Sequence, residues 1–174
     1  MTYYPDLTEY EYIEKNDEYS CVNIGWLSAE KHFDKGVLPF SIIEKIEQFS
    51  QYMINVTRGF HDCELCSDKD VRLYDLADKS ILLGSAEVRF FSNEPIIYAA
   101  PNLLIHYVTE HGYLPPKKFI DAIQNGPLPD SQEYRDLLSK HNIDWVSAKH
   151  CPKLPKKFRL KDLDSINCGS DVIE

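Results

Sequence analysis

Two thiols and three imidazoles stand at spacings that suit a metal ion. Cys63 and Cys66 form a Cys-x-x-Cys inside Thr57-Arg58-Gly59-Phe60-His61-Asp62-Cys63-Glu64-Leu65-Cys66, with His61 two residues ahead of the first thiol. His106 and His111 bound the later segment His106-Tyr107-Val108-Thr109-Glu110-His111. Zinc takes thiolate donors at about 2.3 Å and imidazole donors at about 2.0–2.1 Å, four to a tetrahedron. Two cysteines separated by two residues can wrap one ion, because the turn brings both sulfurs to the same side. His106 and His111 are a harder pair. Five residues of regular helix leave their directions about 140° apart, so they converge only if the last turn tightens or unwinds, which Gly112 permits. The ligand set read here is Cys63, Cys66, His106 and His111, or a set in which His61 replaces one of the helix histidines. The expected cofactor is Zn2+. A redox Cys-x-x-Cys is the competing reading, but it wants a helix N-terminus behind a strand, whereas acidic Asp62 and Glu64 flank these thiols.

No catalytic residue is assigned. A catalytic zinc keeps three protein ligands, an open position and a general base, and Glu110, Glu87 or Glu64 would be the carboxylates for that role. The His-x-x-x-Glu-His segment lacks the His-Glu-x-x-His arrangement of metalloproteases. The zinc-deaminase pattern fails too, since Asp62 precedes Cys63 and no His-x-Glu lies upstream. There is no Gly-x-Ser-x-Gly, P-loop or Gly-x-Gly-x-x-Gly. Arg58 and Arg89 are candidates for anion binding, although a single arginine is more often a surface or ion-pair residue.

Elements that would position these residues are legible from periodicity. Cys21–Leu27 reads as a short strand. Ser41 to Ile54 reads as an amphipathic helix, with Ile42, Ile43, Ile46, Phe49, Tyr52 and Met53 on one face and Ser41 and Glu44 as a capping box. Ile81–Leu83, Ala86–Phe91 and Ile96–Tyr98 read as strands of a hairpin. A helix is expected over Asn102–His111 with Gly112 as its stop, another over Lys117–Gln124 after Pro115-Pro116, and a third over Ser131–Lys140. The fold class that follows is α+β: a small antiparallel sheet, its hairpin around residues 81–98, with two to four helices packed around a zinc knuckle. The expected division is an acidic N-terminal arm at 1–20, a zinc-binding core at 21–126, and a C-terminal extension at 127–174 that packs on or trails from the core.

The chain has 174 residues, 43% of them hydrophobic, and a formal net charge of −9. That is enough apolar material for a core, and the charge opposes the basic footprint of a general nucleic-acid binder. Residues 1–20 carry six acids and one lysine among five tyrosines. The basic run Lys153–Lys161 is interrupted by Pro155. No secretory leader or membrane span is readable, and the five cysteines fit a reducing compartment; the expected location is cytoplasmic. These features predict a small cytosolic zinc-binding interaction module of immunity or antitoxin type, binding a basic protein partner such as a toxin domain. The alternatives are a zinc-dependent hydrolase and a nucleic-acid-binding zinc-knuckle protein.

Five blocks carry a resemblance: Ile24-Gly25-Trp26-Leu27, His32-Phe33-Asp34-Lys35-Gly36, residues 57–66, Gly84-Ser85-Ala86-Glu87-Val88-Arg89, and Tyr98-Ala99-Ala100-Pro101-Asn102-Leu103-Leu104-Ile105-His106-Tyr107-Val108-Thr109-Glu110-His111-Gly112-Tyr113-Leu114-Pro115-Pro116. Over roughly residues 24–124 the chain resembles an uncharacterised bacterial domain family of small members. The resemblance implies a shared compact fold with the His/Cys constellation at its centre. It supplies no activity.

Overall fold

The computed structural model describes residues 2–11, 19–67, 73–77, 79–148 and 150–152. The basic run Lys153–Lys161 lies outside them. The central sheet is built from β1 (Ser20–Asn23), β2 (Tyr52–Ile54), β5 (Glu87–Phe91), β6 (Ile96–Pro101) and β7 (Trp145–Ser147), in the order β1-β6-β5-β2-β7. A smaller sheet has the order β3-β4-β8, from Leu73–Asp75, Lys79–Leu82 and His150–Pro152. The helices are α1 (Phe40–Phe49), α2 (Leu104–His111), α3 (Lys117–Asn125) and α4 (Gln132–Lys140). The class is α+β: a run of strands, β2 to β6, precedes a run of helices, α2 to α4, and the strand pairs are mostly antiparallel.

The hairpin is β5–β6, with Arg89 opposite Ala99 and Phe91 opposite Ile97. Ile81 and Leu82 do not belong to it; they sit in β4, in the smaller sheet. Gly84, at φ +90°, makes the break between the two sheets, a conformation that glycine adopts without strain. The central sheet is also not wholly antiparallel, because β1 adds to β6 in parallel, Ser20 against Ile96 through Asn23 against Ala99.

One helix boundary differs from the periodic pattern. α1 stops at Phe49, and Tyr52, Met53 and Ile54 form β2. All three are buried, which suits a strand inside a sheet better than one helix face. β2 is held between β5 and β7, so a partner from beyond residue 140 overrides the local helical period. The helix also begins without the capping box: Pro39 is its N-cap and no side chain caps it. Ser131, by contrast, does cap α4, its side chain accepting from the Tyr134 amide.

Successive residues of β5 face opposite sides. Phe90 meets Phe49 of α1 at 4.4 Å and Phe119 of α3 at 4.8 Å between ring centroids, so the helices cover that face. The leader covers part of the other side. Leu7 N–H donates to Asn23, Tyr10 N–H to Cys21, and Asn23 N–H to Thr8, which occupies the outer edge of β1 and removes an open sheet edge. Asp6 accepts hydrogen bonds from the Gly25 amide and the Tyr113 hydroxyl. Over residues 2–11 the acidic leader is therefore laid along the core.

Candidate metal centre

Cys63 and Cys66 lie in the loop between β2 and β3, and two backbone contacts fix that loop. Thr57 N–H donates to the Ser85 carbonyl at 2.8 Å and His61 N–H to the Gly84 carbonyl at 2.7 Å. Gly84 is required there for space as well as for its positive φ, since a Cβ would sit 2.4 Å from the His61 carbonyl oxygen. Gly84 is itself anchored, its amide donating to the buried Asn102 side chain at 2.8 Å. Asn102 stands just ahead of α2, so the turn that leads into the histidine helix also holds the strip to which the cysteine loop is zipped.

His106 and His111 come from α2, whose end supplies the convergence that a regular helix lacks. Gly112 adopts the left-handed conformation at φ 64°, and the Tyr113 amide reaches back to the Tyr107 carbonyl at 3.0 Å, the closing bond of a glycine-terminated helix. His111 is the last residue of α2, and its ring lies 5.0 Å from that of His106 between centroids. Their Nε2 atoms are 3.2 Å apart.

The four side chains meet. Cys63 Sγ lies 3.2 Å from His111 Nε2, and Cys66 Sγ lies 3.3 Å from both His106 Nε2 and His111 Nε2. One ligand atom from each of the four falls within 4.8 Å of the others, close enough to bind a metal ion. A tetrahedron with ordinary zinc bond lengths has edges of about 3.3 Å between nitrogens and about 3.6 Å between sulfur and nitrogen. Hydrogen bonding does not explain the cluster. His111 Nε2 is within 3.3 Å of three groups at once, yet an imidazole nitrogen has one proton or one lone pair to offer. A single central cation would satisfy all four.

Burial prepares the imidazoles for that role. His106 is 5% exposed, and burial, reinforced by His111, pushes its pKa down to about 4. His111 is also lowered, chiefly by burial, with Lys35 adding and Glu110 opposing. Both rings are thus neutral near pH 7, with the lone pair that a metal needs. Cys63 is buried, Cys66 and His111 are half-buried, and a cleft of about 640 Å³ bordered by Cys66, His106, His111 and Glu110 opens beside them.

His61 is not among the four. Its side chain is exposed and faces a different cavity, one it shares with Gly84 and Glu87. Of the carboxylates considered as bases, Glu110 borders the cleft, Glu64 accepts from the Ala29 amide, and Glu87 is turned to an ion pair. The arginines also separate. Arg58 is exposed, whereas Arg89 is fully buried and sits 2.8 Å from Glu87. Arg89 Nη2 donates to the Tyr10 hydroxyl, which donates to Glu87, and the guanidinium lies 4.8 Å from the Tyr10 ring centroid. The sequence carried a signal for this pair, because residues two apart on a strand share a face. It carried none for Tyr10, 79 residues from Arg89.

Among the described residues, no helix is long and apolar enough to cross a membrane. No curated protein and no solved structure matches the chain. A family model does match, over residues 2–124, and so takes in the leader along with both halves of the metal cluster: the chain belongs to the family described as Domain of unknown function (DUF7919).

Proposed function

We propose that the protein is a zinc-binding interaction module in which Cys63, Cys66, His106 and His111 hold one structural zinc ion. The observation that carries this reading is the convergence of two sulfurs and two imidazole nitrogens within 4.8 Å. Four protein donors fill a zinc tetrahedron and leave no position for water, the usual state of a structural site. Bound there, zinc supplies a cross-link between the loop after β2 and the end of α2. Elemental analysis of protein purified without chelator tests this: about one zinc per chain is expected, and metal content near zero with Cys63 and Cys66 freely reactive overturns it.

The partner we propose is a basic protein, a toxin domain bound in the cytoplasm by an immunity-type protein. Its support is the net charge of −9 and the lack of a recognisable catalytic motif in the sequence. Asp6 is half-buried against Tyr113 and Gly25, whereas Glu9 and Glu11 are exposed, and exposure assigns the steering charge of the leader to these two. Replacing both with glutamine is expected to slow association with such a partner and flatten its salt dependence. Equal on-rates at low salt remove the leader from the interface, and steeply salt-dependent binding to plain oligonucleotides favours a nucleic-acid role.

The cleft beside Cys66, His106 and His111 supports a second reading, a zinc-dependent hydrolase with Glu110 at hand. It predicts that Cys66→Ser folds normally yet loses a hydrolytic activity that the parent has.

A further inference from the structure

A second cavity shares no lining residue with the cleft beside the metal cluster, and nothing in the metal reading uses it. It measures about 150 Å³ and is lined by Tyr4, Trp26, Asn55, His61, Glu87 and Asn102, among others. At about 30 Å³ of liquid volume per water, it has room for roughly five heavy atoms. Its walls are fixed. The Trp26 indole N–H donates to the Ala99 carbonyl at 3.1 Å, and Tyr4 packs edge-on against Trp26 at 5.8 Å. Asn102 is held by Gly84, and the loop bearing His61 is zipped to Gly84 and Ser85.

Two of the lining side chains keep an open acceptor oxygen. Glu87 Oε2 is used by Tyr10 and Arg89, and Oε1 has no partner among the described residues. Asn55 Nδ2 donates to Tyr10, which leaves its Oδ1 open. Asn55 holds a positive φ of 50°, a conformation asparagine tolerates better than most residues. The buried Arg89 holds the Glu87 carboxylate in place, as a preorganised site requires. Open acceptors beside Tyr and Trp rings make a setting for a cation with N–H donors, which can bond to the oxygens and rest against the rings.

We propose that this cavity binds a compact organic cation, a primary ammonium group on a short alkyl chain. Glu87 Oε1 and Asn55 Oδ1 accept its N–H groups, and Trp26 and Tyr4 flank its chain. Arg89 already balances the charge of Glu87, so selectivity comes from directed hydrogen bonds and ring contact, and affinity for so small a group is in roughly the millimolar range. The ammonium can come from a free amine or from a lysine side chain.

The test is a titration of the intact, metal-loaded protein with n-butylammonium, and separately with n-butanol, followed by assigned NMR signals. Saturable shifts at the Trp26 indole and the amides of Asn55 and Glu87 are expected for the amine alone. Glu87→Gln is expected to weaken binding roughly tenfold or more. Because that change strips the charge from the partner of a buried arginine, Asn55→Gly is the second variant; it leaves the ion pair intact and is expected to weaken binding several-fold. Equal shifts with butanol, shifts spread over the surface, or unchanged affinity in a folded Glu87→Gln or Asn55→Gly variant overturn the proposal. A capped lysine peptide in place of butylammonium separates the two sources: binding of both points to a protein side chain as ligand, and binding of the free amine alone to a small metabolite.

Discussion

His111 Nε2 touches three potential ligands and His61 touches none of them, and a pair of substitutions separates the two histidines. Cys63→Ser is expected to lose the metal and several kcal/mol of stability, on the scale of zinc-coupled folding. His61→Ala removes an exposed ring outside the cluster, so it is expected to retain full metal content and change stability by no more than about 0.5 kcal/mol. Metal analysis with denaturant unfolding measures both. If His61→Ala empties the site, the ligand set is wrong. At this scale the sequence was informative about types and spacing and silent about choice. Cys63, Cys66, His106 and His111 could be named from their intervals. The exclusion of His61 could not, because it depends on Gly84, whose carbonyl turns the His61 backbone toward the strip after β4.

Elements decide how far an effect at the centre travels. The cysteine loop has its own anchors at Gly84 and Ser85, and the cluster joins its two cysteines to α2. Removing the metal with a chelator is therefore expected to speed hydrogen exchange at the Thr57 and His61 amides, whose bonds to Ser85 and Gly84 then open with the loop. Amides inside β5 and β6 are expected to keep their protection, since opening is local to the least supported unit. Exchange measured with and without chelator checks this, and unchanged rates at Thr57 and His61 refute the idea that the ion holds the loop. Legibility differed here by element. Helices α3 and α4 have strong local stops and starts, in Pro116, Gly126 and Ser131. The end of α1 is hidden in the sequence because Tyr52 and Met53 continue its apolar period, while what makes them a strand is β7, about 90 residues further on. A single-sequence period has no means of registering that partner.

At the scale of the molecule, the tyrosines couple stability to alkaline pH. Burial foremost raises the pKa of Tyr10, Tyr98, Tyr107, Tyr113 and Tyr134 above the ordinary 10, and that of Tyr74 to about 12. A group that keeps its proton longer when folded contributes stability that is complete below pH 10. That stability is lost as pH rises through the folded value, because the unfolded chain has then already released the proton. Unfolding is expected to set in above about pH 10 and to carry the phenolate absorbance with it in one cooperative step. Gradual, independent tyrosine titration with the circular dichroism unchanged contradicts this. The composition showed eleven tyrosines, but not that most of those named here bind across the fold, as Tyr113 does to Asp6 and Tyr10 to Glu87.

The sequence distance such contacts span bears on how the chain is made. Tyr113 is separated from Asp6 by 107 residues, and Cys63 from His111 by 48. Synthesis proceeds at about 5–20 residues per second, so both thiols leave the ribosome several seconds before the imidazoles that complete their site. For that interval the cysteine pair is open to oxidants and to stray metal. The leader emerges well before it can be placed, since its seat against Tyr113 does not exist until the 107 residues that separate Asp6 from it have been made.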